Sequence, residues 1–594
     1  MVQYLPAKYD IIAHMRRRTF RLLYLMIVVL ALIIRLWGLG QLPHGIYWDE
    51  AAILADAKKV VTTGSDMHEL SPWHLIYPSY GDYKLAPYIW ATTLAVKILG
   101  VNYLALRLPS AIAGVASVVL AGLIAKIIAK QSHLDSPKQQ LWQLSAMATV
   151  AICPWSVLFS RAAFEGHLGQ MLLGLAVYLL LLSWSQPKSK TRKQLAINII
   201  LLIITGFVGG LAFWTYFSVR FVWPVIAALI GIYYLLDTRN WPRFLGSNII
   251  IGLIFALMLW AMAQDPFYQA SNQLRLSTPS ILNNQDLPHQ VNHQRLLSGN
   301  SLFSRLVFSQ KLTQIQQLAI NYARHLDFGY LYLHGDSNLR HSTGNIGLFY
   351  LIWAPFTLAG LIYLLAKHPS VFCLFFGWWL IGLLPASVPT LSVPHSLRSL
   401  NSLLPACLIT SCGLSLFIHY ILYTKHQSKN RQLFKYCLGI ACLGMLLTEV
   451  AGFAWDYIHV YPHRADADTA WESANDELAA ILMHEQEHYK QVYAVNLDGF
   501  LYLWYLNQPQ FDMHDLNTTY QSDNYTFRTL GKVNFGLDET VPAEGELFFL
   551  GERQKIEDYL SQVPHRDRQD KYSLRAYNHD YIGVSVVILP DATK

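Results

Sequence analysis

Two adjacent carboxylates stand where a long apolar run gives way to polar sequence. Asp49 and Glu50 occur in GIYWDEAAI, shortly after the apolar stretch 22–37. An aspartate held at a membrane–water boundary stays ionised and can take a proton from a hydroxyl or an amine, as a general base does. The structural alternative is that Asp49 caps a surface helix beginning EAAILADAKKV, where the helix dipole favours both acids. The pair alone leaves both interpretations open.

Further charged side chains fall at the ends of apolar runs. They are costly in that position unless they meet at a site or in water. Arginines facing carboxylates suit an anionic group beside an acid–base pair, because guanidinium matches phosphate geometry, although a single such arginine is more often a snorkelling anchor. The set comprises Asp82, Lys84, Arg107, Arg161, Glu165, Arg220, Asp336, Arg340, His341, His395 and Arg398.

Several familiar motifs are missing from the sequence. It contains no P-loop, no Rossmann G-x-G-x-x-G after a strand and no H-E-x-x-H. HEQEH at 484–488 places two histidines at i, i+4, but it lacks the zincin spacing and is expected to be a solvated helix face. The six cysteines all lie within apolar runs, so neither a disulfide framework nor a C-x-x-C metal site is predicted.

The composition is that of a polytopic membrane protein. Of 594 residues, 53% are hydrophobic and only 14% are charged, whereas about a quarter of a soluble domain is charged. Eleven runs are long enough to cross a bilayer, which takes about 17–25 residues. They lie near 20–39, 107–127, 142–160, 167–184, 195–215, 221–236, 244–262, 346–366, 370–387, 399–421 and 433–455.

Loop charge predicts the orientation of these spans. Four loops are basic, as cytoplasmic loops are: 126–138, 188–193, 237–243 and 425–435. If the shorter apolar run 85–99 is an interfacial or re-entrant helix, all four basic loops lie on the same side of the membrane as the N-terminal arginines. If 85–99 crosses the membrane completely, every later loop changes side and all four face outward. We therefore predict that 85–99 is an interfacial or re-entrant helix. The first run is then an uncleaved span, and the loops 40–106 and 263–345 lie outside the cell.

The composition changes after Trp455. Residues 456–594 are polar and show strand-like and helix-like stretches, including GELFFLG, RQKIEDYLSQ and YIGVSVVIL. We therefore predict about eleven transmembrane helices in a membrane domain, 1–455, followed by a small extracytoplasmic α/β domain, 456–594.

The motifs, taken in order, resemble a known family. After the Asp-Glu pair come RLPSAIAG, SRAAFEGH, LHGDSNLRHSTGNIGLFYL and PHSLRSLNSLLPA. This order is similar to that of bacterial membrane glycosyltransferases related to protein O-mannosyltransferases and to lipid A aminoarabinose transferase, which are C-type glycosyltransferases. The resemblance covers about residues 10–455, and YGDYKLAP matches the family's lysine- and proline-containing segment only loosely.

The resemblance implies transfer of a sugar from a polyprenyl-phosphate carrier to an acceptor at the outer face of a bacterial plasma membrane, with inversion. By similarity, Asp49 would be the base and Glu50 would orient Asp49 or the acceptor. Lys84 and Arg398, then Arg107 and Arg340, would meet the phosphate of the leaving group. The loop 263–345 is too short for the mannosyltransferases' own loop domain. A glycolipid or cell-envelope polymer is therefore at least as good an acceptor as a protein.

Another class of function stays open at this point. A transporter or flippase of lipid-linked sugars would need ionisable groups near the bilayer midplane and commonly repeated halves, and the sequence shows charges at span ends and no repeat. No nucleic-acid partner is expected. No cofactor follows from the motifs. A divalent metal ion remains open, with Glu50, Asp82 and Glu165 as candidate oxygen ligands.

Overall fold

The computed structural model describes most of the chain. The described residues are 17–79, 82–186, 191–424, 428–495, 517–522, 525–530, 532–535, 545–576 and 579–589. Parts of two predicted basic loops, 188–190 and 425–427, lie outside this set.

Helices dominate the first three quarters of the chain. They are α1 Arg17–Leu36, α2 Trp48–Thr63, α3 Ala86–Leu99, α4 Tyr103–Gln131, α5 Ser136–Ile152, α6 Pro154–Ser160, α7 Glu165–Ser185, α8 Arg192–Thr215, α9 Val219–Thr238, α10 Trp241–Ala263, α11 Tyr268–Ser277, α12 Leu287–Leu297, α13 Leu302–Val307, α14 Gln310–His325, α15 Phe328–Tyr332, α16 Ala354–Lys367, α17 Pro369–Ser387, α18 Leu403–Tyr423 and α19 Lys429–Trp455. Short 3-10 helices, Leu351–Trp353 and Leu400–Ser402, precede α16 and α18.

The chain is a multi-pass membrane protein. Within the described residues, nine helices are long and apolar enough to span a bilayer, and α5 with α6, bent by 56° at their junction, makes a tenth. These ten match ten of the eleven predicted runs. The remaining run, 346–366, forms the helix Leu351–Lys367, which is shorter than the others. Residues 346–350 of this run form a loop rather than a helix, and the backbone of Tyr350 is extended just before the 3-10 helix begins at Leu351.

The run 85–99 forms the 14-residue helix α3, which is also too short to span at full length. α3 ends at Leu99, because the following residue, Gly100, has a φ of 80°, which is not helical. Leu94 and Ile98 are exposed along one side, by 62% and 71%. An interfacial or re-entrant position for this helix remains a prediction.

The backbone forms two compact units. One comprises residues 1–37 and 110–455, and the other comprises 38–109 and 456–594. In the first unit, α5 packs with α18, α18 with α16, and α7 with α8. Glycines permit close approach in this unit, since a Cβ on Gly413 would lie 1.9 Å from the Phe356 carbonyl oxygen.

The second unit contains a hairpin and a mixed sheet. The hairpin pairs β1 Ile76–Ser79 with β2 Asp82–Leu85, so that Tyr77 faces Lys84. Beyond α20 Ala465–Trp471 and α21 Asn475–Glu485, the chain forms β3 Gln491–Val495, β4 Asn517–Ser522, β5 Tyr525–Leu530, β6 Val533–Phe535, β7 Gly545–Glu552, α22 Arg553–Leu560, β8 His565–Ala576 and β9 His579–Ile588.

The seven strands of this sheet are ordered β4-β5-β6-β3-β7-β9-β8. β3 is parallel to both neighbours, and the other pairs are antiparallel. The predicted strands GELFFLG and YIGVSVVIL are confirmed as β7 and β9, and RQKIEDYLSQ as α22. Alternate apolar residues of β7 and β9 pack against α22, which explains why their pattern was legible.

Candidate active site

Asp49 and Glu50 lie in the first turn of α2, and neither caps it. The helix begins at Trp48, two residues earlier than the sequence suggested, and no side chain forms a cap hydrogen bond at its N-cap residue, Tyr47. The N-cap prediction for Asp49 is therefore wrong. The physical reason is that each carboxylate has a cation as its partner, so neither turns back towards the free amides of the helix.

Asp49 pairs with Lys84. Its Oδ1 accepts a hydrogen bond from the Lys84 ammonium, which β2 brings up to the start of α2. The Asp49 side chain remains 35% exposed, whereas that of Lys84 is only 6% exposed. The acid can therefore reach a molecule arriving from water while it stays paired with an enclosed cation.

Glu50 has a different environment, since it and Arg107 are both fully buried. Arg107 Nε donates to Oε1 at 3.1 Å and Nη2 donates to Oε2 at 2.8 Å, which is a bidentate pair. The other guanidinium protons go to the carbonyls of Leu39, Pro43 and Gly45, at 3.5, 2.9 and 2.6 Å. Every N–H of Arg107 is thus used inside the protein.

Gly45 makes this arrangement possible. Its φ of +76° lies in the left-handed region, and a Cβ there would meet the Ser473 Cα at 2.6 Å and the Trp471 carbonyl oxygen at 2.7 Å. Only glycine fits this close approach without strain. Sequence reasoning missed Gly45, because the residues that it approaches, Trp471 and Ser473, are far away in the sequence.

A second polar cluster lies in the first unit. Asp336 Oδ2 accepts hydrogen bonds from the Ser396 amide at 2.7 Å, from the Ser396 hydroxyl at 2.8 Å and from His341 Nδ1 at 3.3 Å. The His341 and His395 rings lie 4.8 Å apart. The cluster joins the loop that follows α15 to the loop that follows α17. Ser396 was not predicted, although it is the neighbour of His395 in the sequence.

Burial and charge act against each other in this cluster. Burial alone would raise the pKa of the Asp336 carboxyl, but the hydrogen bond and charge of His341, the charge of His395 and the Ser396 amide hold it below its usual range. Burial lowers the pKa of His395, and the charges of His341 and Arg398 lower it further. Asp336 is therefore a carboxylate at neutral pH.

The three side chains have the donor atoms of a metal site. One ligand atom from each of Asp336, His341 and His395 lies within 4.8 Å of the others. Two imidazoles and a carboxylate suit Zn²⁺ and related ions. These residues therefore fit a divalent ion better than the set predicted from the sequence, because Glu50 already binds Arg107 through both oxygens.

A cavity of about 700 Å³ opens beside this cluster. Its walls include Arg324, Tyr330, His334, Asp336 and Pro394. The volume is in the range of pockets for small ligands. The cavity therefore gives Asp336 access to a molecule of sugar size.

The remaining predicted residues have separate surroundings. Arg161 is buried and donates to the Ile34 carbonyl at 2.8 Å, near the end of α1. Glu165 lies in the first turn of α7. The Arg340 amide donates to Asn338 Oδ1 at 3.0 Å, and Arg398 Nη1 donates to the Leu391 carbonyl at 3.1 Å. The structure thus joins Asp49 with Lys84, Glu50 with Arg107, and Asp336 with both histidines.

Comparison with known proteins supplies the fold. No protein-family profile and no curated protein sequence matches the chain. The crystal structure of ArnT from Cupriavidus metallidurans in the apo state aligns with a TM-score of 0.51 and 12% identity, over 95% of this chain and 97% of that chain. The structure of the same ArnT bound to undecaprenyl phosphate aligns equally well, over 94% and 97%. This chain has the ArnT-like fold of C-type glycosyltransferases. The fold class expected from the sequence is thereby confirmed.

Proposed function

We propose that this protein is an inverting glycosyltransferase that moves a sugar from a polyprenyl-phosphate-linked donor to an acceptor outside a bacterial plasma membrane. The observation that carries the proposal is the contrast between two neighbouring acids. Asp49 is partly exposed beside Lys84, whereas Glu50 is enclosed by Arg107. The similarity to ArnT, solved with undecaprenyl phosphate, supports the class of donor.

In the proposed reaction, Asp49 takes the proton of an acceptor hydroxyl or amine as that group attacks the anomeric carbon. The new bond to the acceptor forms while the bond from the anomeric carbon to the phosphate oxygen breaks, and polyprenyl phosphate leaves. A single displacement inverts the anomeric configuration. Proton transfer neutralises Asp49, and this frees the charge of Lys84 to meet the charge that develops on the phosphate.

Glu50 and Arg107 act as positioning residues in this proposal. Because every Arg107 donor is bound within the protein, Arg107 fixes the start of α2 to the 39–45 segment and does not contact phosphate. Lys84, Arg340 and Arg398 remain the proposed phosphate-facing cations. Arg161, which binds a carbonyl of α1, is proposed as an anchor.

We propose Asp336, His341 and His395 as the ligands of a divalent metal ion, which would supply positive charge beside an anionic substrate. The support is the donor set itself. The number of divalent ions that copurify with each protein chain, measured by elemental analysis, tests this assignment independently of activity.

The test of the function is sugar transfer from radiolabelled polyprenyl-phosphate sugars in membranes. We expect Asp49→Asn to lose about 10²- to 10⁴-fold in rate, the usual range for a general base. Asp286→Asn, an exposed acid of the outer loop, is the matched control and should transfer like the wild type. Full transfer by Asp49→Asn would exclude Asp49 as the base. Movement of the intact lipid-linked sugar across the membrane, without transfer by the wild type, would instead indicate a flippase.

The orientation has its own test. Cysteines introduced at Ser65 and Thr278 should react with a membrane-impermeant maleimide in intact cells, and one at His133 should react only after permeabilisation. The unmodified chain, with its six native cysteines, gives the background. The opposite pattern would place the basic loops outside and make 85–99 a full span.

A further inference from the structure

The buried pair of Glu50 and Arg107 is enclosed in part by the other end of the chain. The loop 38–109 and the C-terminal segment 456–594 belong to one compact unit. Within this unit, the Trp471 ring lies beside the Arg107 guanidinium, with 5.9 Å between the guanidinium carbon and the ring centroid. This is a cation–π distance, and such an attraction is strongest where water is excluded. The cation that binds Glu50 is therefore packed against a residue of the C-terminal segment.

Trp471, the last residue of α20, also contacts the segment that leads into α2. It is only 4% exposed. Its ring meets the ring of Tyr47 edge to face, with 5.5 Å between the centroids. Its carbonyl oxygen lies 2.7 Å from the position that a Cβ on Gly45 would take. Its indole N–H donates to the Tyr461 hydroxyl at 2.6 Å, which fixes the orientation of the ring. Trp471 thus contacts both the cation and the residue that precedes α2.

A second link connects the same two parts of the chain. The Tyr103 ring, at the start of α4, also lies beside Arg107, with 5.8 Å between the guanidinium carbon and the ring centroid. The Tyr103 hydroxyl donates to Oδ1 of Asp476, which lies in the first turn of α21 and is exposed. One of the two rings beside Arg107 therefore belongs to the C-terminal segment, and the other is hydrogen-bonded to it.

These contacts affect the proposed base because Asp49 precedes Glu50 in the same helical turn. Arg107 binds Glu50 through two hydrogen bonds, so a shift of the guanidinium moves Glu50 and with it the first turn of α2. Displacement of a catalytic group by about 1 Å can cost about 10²-fold in rate. Residues that immobilise Arg107 therefore control the geometry of Asp49 without touching a substrate.

We propose that the C-terminal segment 456–594 is a positioning element of the active site, and that Trp471 and Asp476 are the positioning residues through which it acts. Trp471 holds Arg107 and the entry to α2 directly, and Asp476 acts through Tyr103. The effect on catalysis rests on the proposed function of Asp49 as the base. The positioning itself rests on the contacts within the unit.

Steady-state kinetics of sugar transfer by the full-length protein test Trp471. Trp471→Leu should lower kcat and kcat/KM together by about 10- to 10²-fold, because geometry at the reacting centre is lost. Trp471→Phe keeps a ring beside Arg107 and Tyr47 and should recover most of the rate. Phe549→Leu, in the buried core of the sheet in the same segment, is the control for lost stability and should transfer like the wild type. Wild-type rates for Trp471→Leu, or an equal loss for Phe549→Leu, would overturn the role of Trp471.

Asp476 gives a test at an exposed position, which holds even if Trp471→Leu does not fold. Asp476→Ala should lower kcat by less than Trp471→Leu, because one of the two links remains. Tyr103→Phe removes the same hydrogen bond and should lower kcat by the same factor, with no further loss in the double variant. Glu477→Ala is the matched control, since Glu477 is the neighbouring exposed acid in the first turn of α21 and its removal changes the charge at the helix end equally. Equal rates for Asp476→Ala and Glu477→Ala would overturn the link through Tyr103.

Hydrogen–deuterium exchange followed by mass spectrometry measures the positioning without sugar transfer. Peptides that cover residues 48–54 should take up deuterium faster in Trp471→Leu and Asp476→Ala than in the wild type, Glu477→Ala and Phe549→Leu. Unchanged exchange in these peptides would overturn the proposal. If exchange rises as expected while even the wild type transfers no sugar, the proposed function fails and the positioning role stands. If the wild type transfers sugar and no variant differs from it in rate or exchange, the positioning role fails and the proposed function stands.

Discussion

The buried pair of Glu50 and Arg107 gives the sharpest test of how the acid pair is held. Glu50→Ala removes two hydrogen bonds to a guanidinium that no water reaches. A bond to a charged group contributes about 1.5–3 kcal/mol, and breaking a buried ion pair by removing one partner costs about 3–5 kcal/mol. The two figures agree, so we expect Glu50→Ala to lower the free energy of unfolding by about 3–5 kcal/mol.

Arg107→Met should cost more than Glu50→Ala. It removes the same two bonds and also leaves the carbonyls of Pro43 and Gly45 without a donor, at about 1–3 kcal/mol for each buried group. The double variant Glu50→Met with Arg107→Met leaves no unpaired charge. Its loss should therefore be smaller than the sum of the two single losses by about 3 kcal/mol.

The assay is equilibrium unfolding of the full chain in mixed micelles of mild detergent and SDS, followed by tryptophan fluorescence. Asp466→Asn is the control. Asp466 pairs with Arg464 at the protein surface, where the Asp466 side chain is 54% exposed and that of Arg464 is 26% exposed. Such an ion pair should contribute less than about 1 kcal/mol. A Glu50→Ala loss as small as that of the control, or strictly additive losses, would refute the role given to this pair.

Four further predictions follow from the structure. Lys84→Met should lower the rate of sugar transfer at least about tenfold, because it removes the cation beside the base and the phosphate. Lys84→Arg keeps a positive charge and should be less affected. Equal rates for Lys84→Met and the wild type would remove Lys84 from the site. Gly45→Ala should lower the melting temperature clearly more than Gly64→Ala. Both glycines have a positive φ, but an added Cβ would clash with Ser473 and Trp471 at Gly45 and would meet nothing within 4 Å at Gly64. Equal decreases in melting temperature would show that backbone strain alone matters and that the clash does not. Elemental analysis should find about one divalent ion per wild-type chain and much less in His341→Ala and His395→Ala, and metal-free wild type would reject the ligand assignment. Glu485 accepts hydrogen bonds from Tyr572 and Lys571. Burial alone would raise the pKa of Glu485, but these two partners lower it overall. The stability that Glu485 contributes is therefore present above its unfolded pKa and is lost as the pH falls through its lower folded pKa. The free energies of unfolding of the wild type and of Glu485→Gln should differ at pH 7 and converge at low pH, and a difference that stays constant with pH would contradict this.

Much of the membrane part was predictable because it depends on local composition. Spans such as α7 and α17 need only about twenty consecutive apolar residues, and that property is visible without any knowledge of neighbours. β7 and β9 were visible for a similar reason, since alternation marks a strand with one covered face. β8 was missed because HRDRQDKYSLRA has no apolar alternation, and its pairing with β9 makes it a strand.

The site was only partly predictable. The chemical types of Asp49, Lys84 and Asp336 pointed to acid–base work beside an anion, and their places at span ends pointed to a boundary. Their partners did not follow, because a hydrogen bond between residues such as Asp49 and Lys84 depends on how a hairpin meets a helix.

The sequence by itself therefore determined that this chain crosses a membrane many times and which charged residues stand at the ends of its spans. Hydrophobic length and charge are properties of short segments, and they persist whatever the segments pack against. Only the tertiary structure decided that Glu50 is enclosed while Asp49 is accessible, and that Arg107 forms five hydrogen bonds inside the protein. Burial and hydrogen-bond satisfaction are properties of contacts between distant segments, and no segment carries them alone.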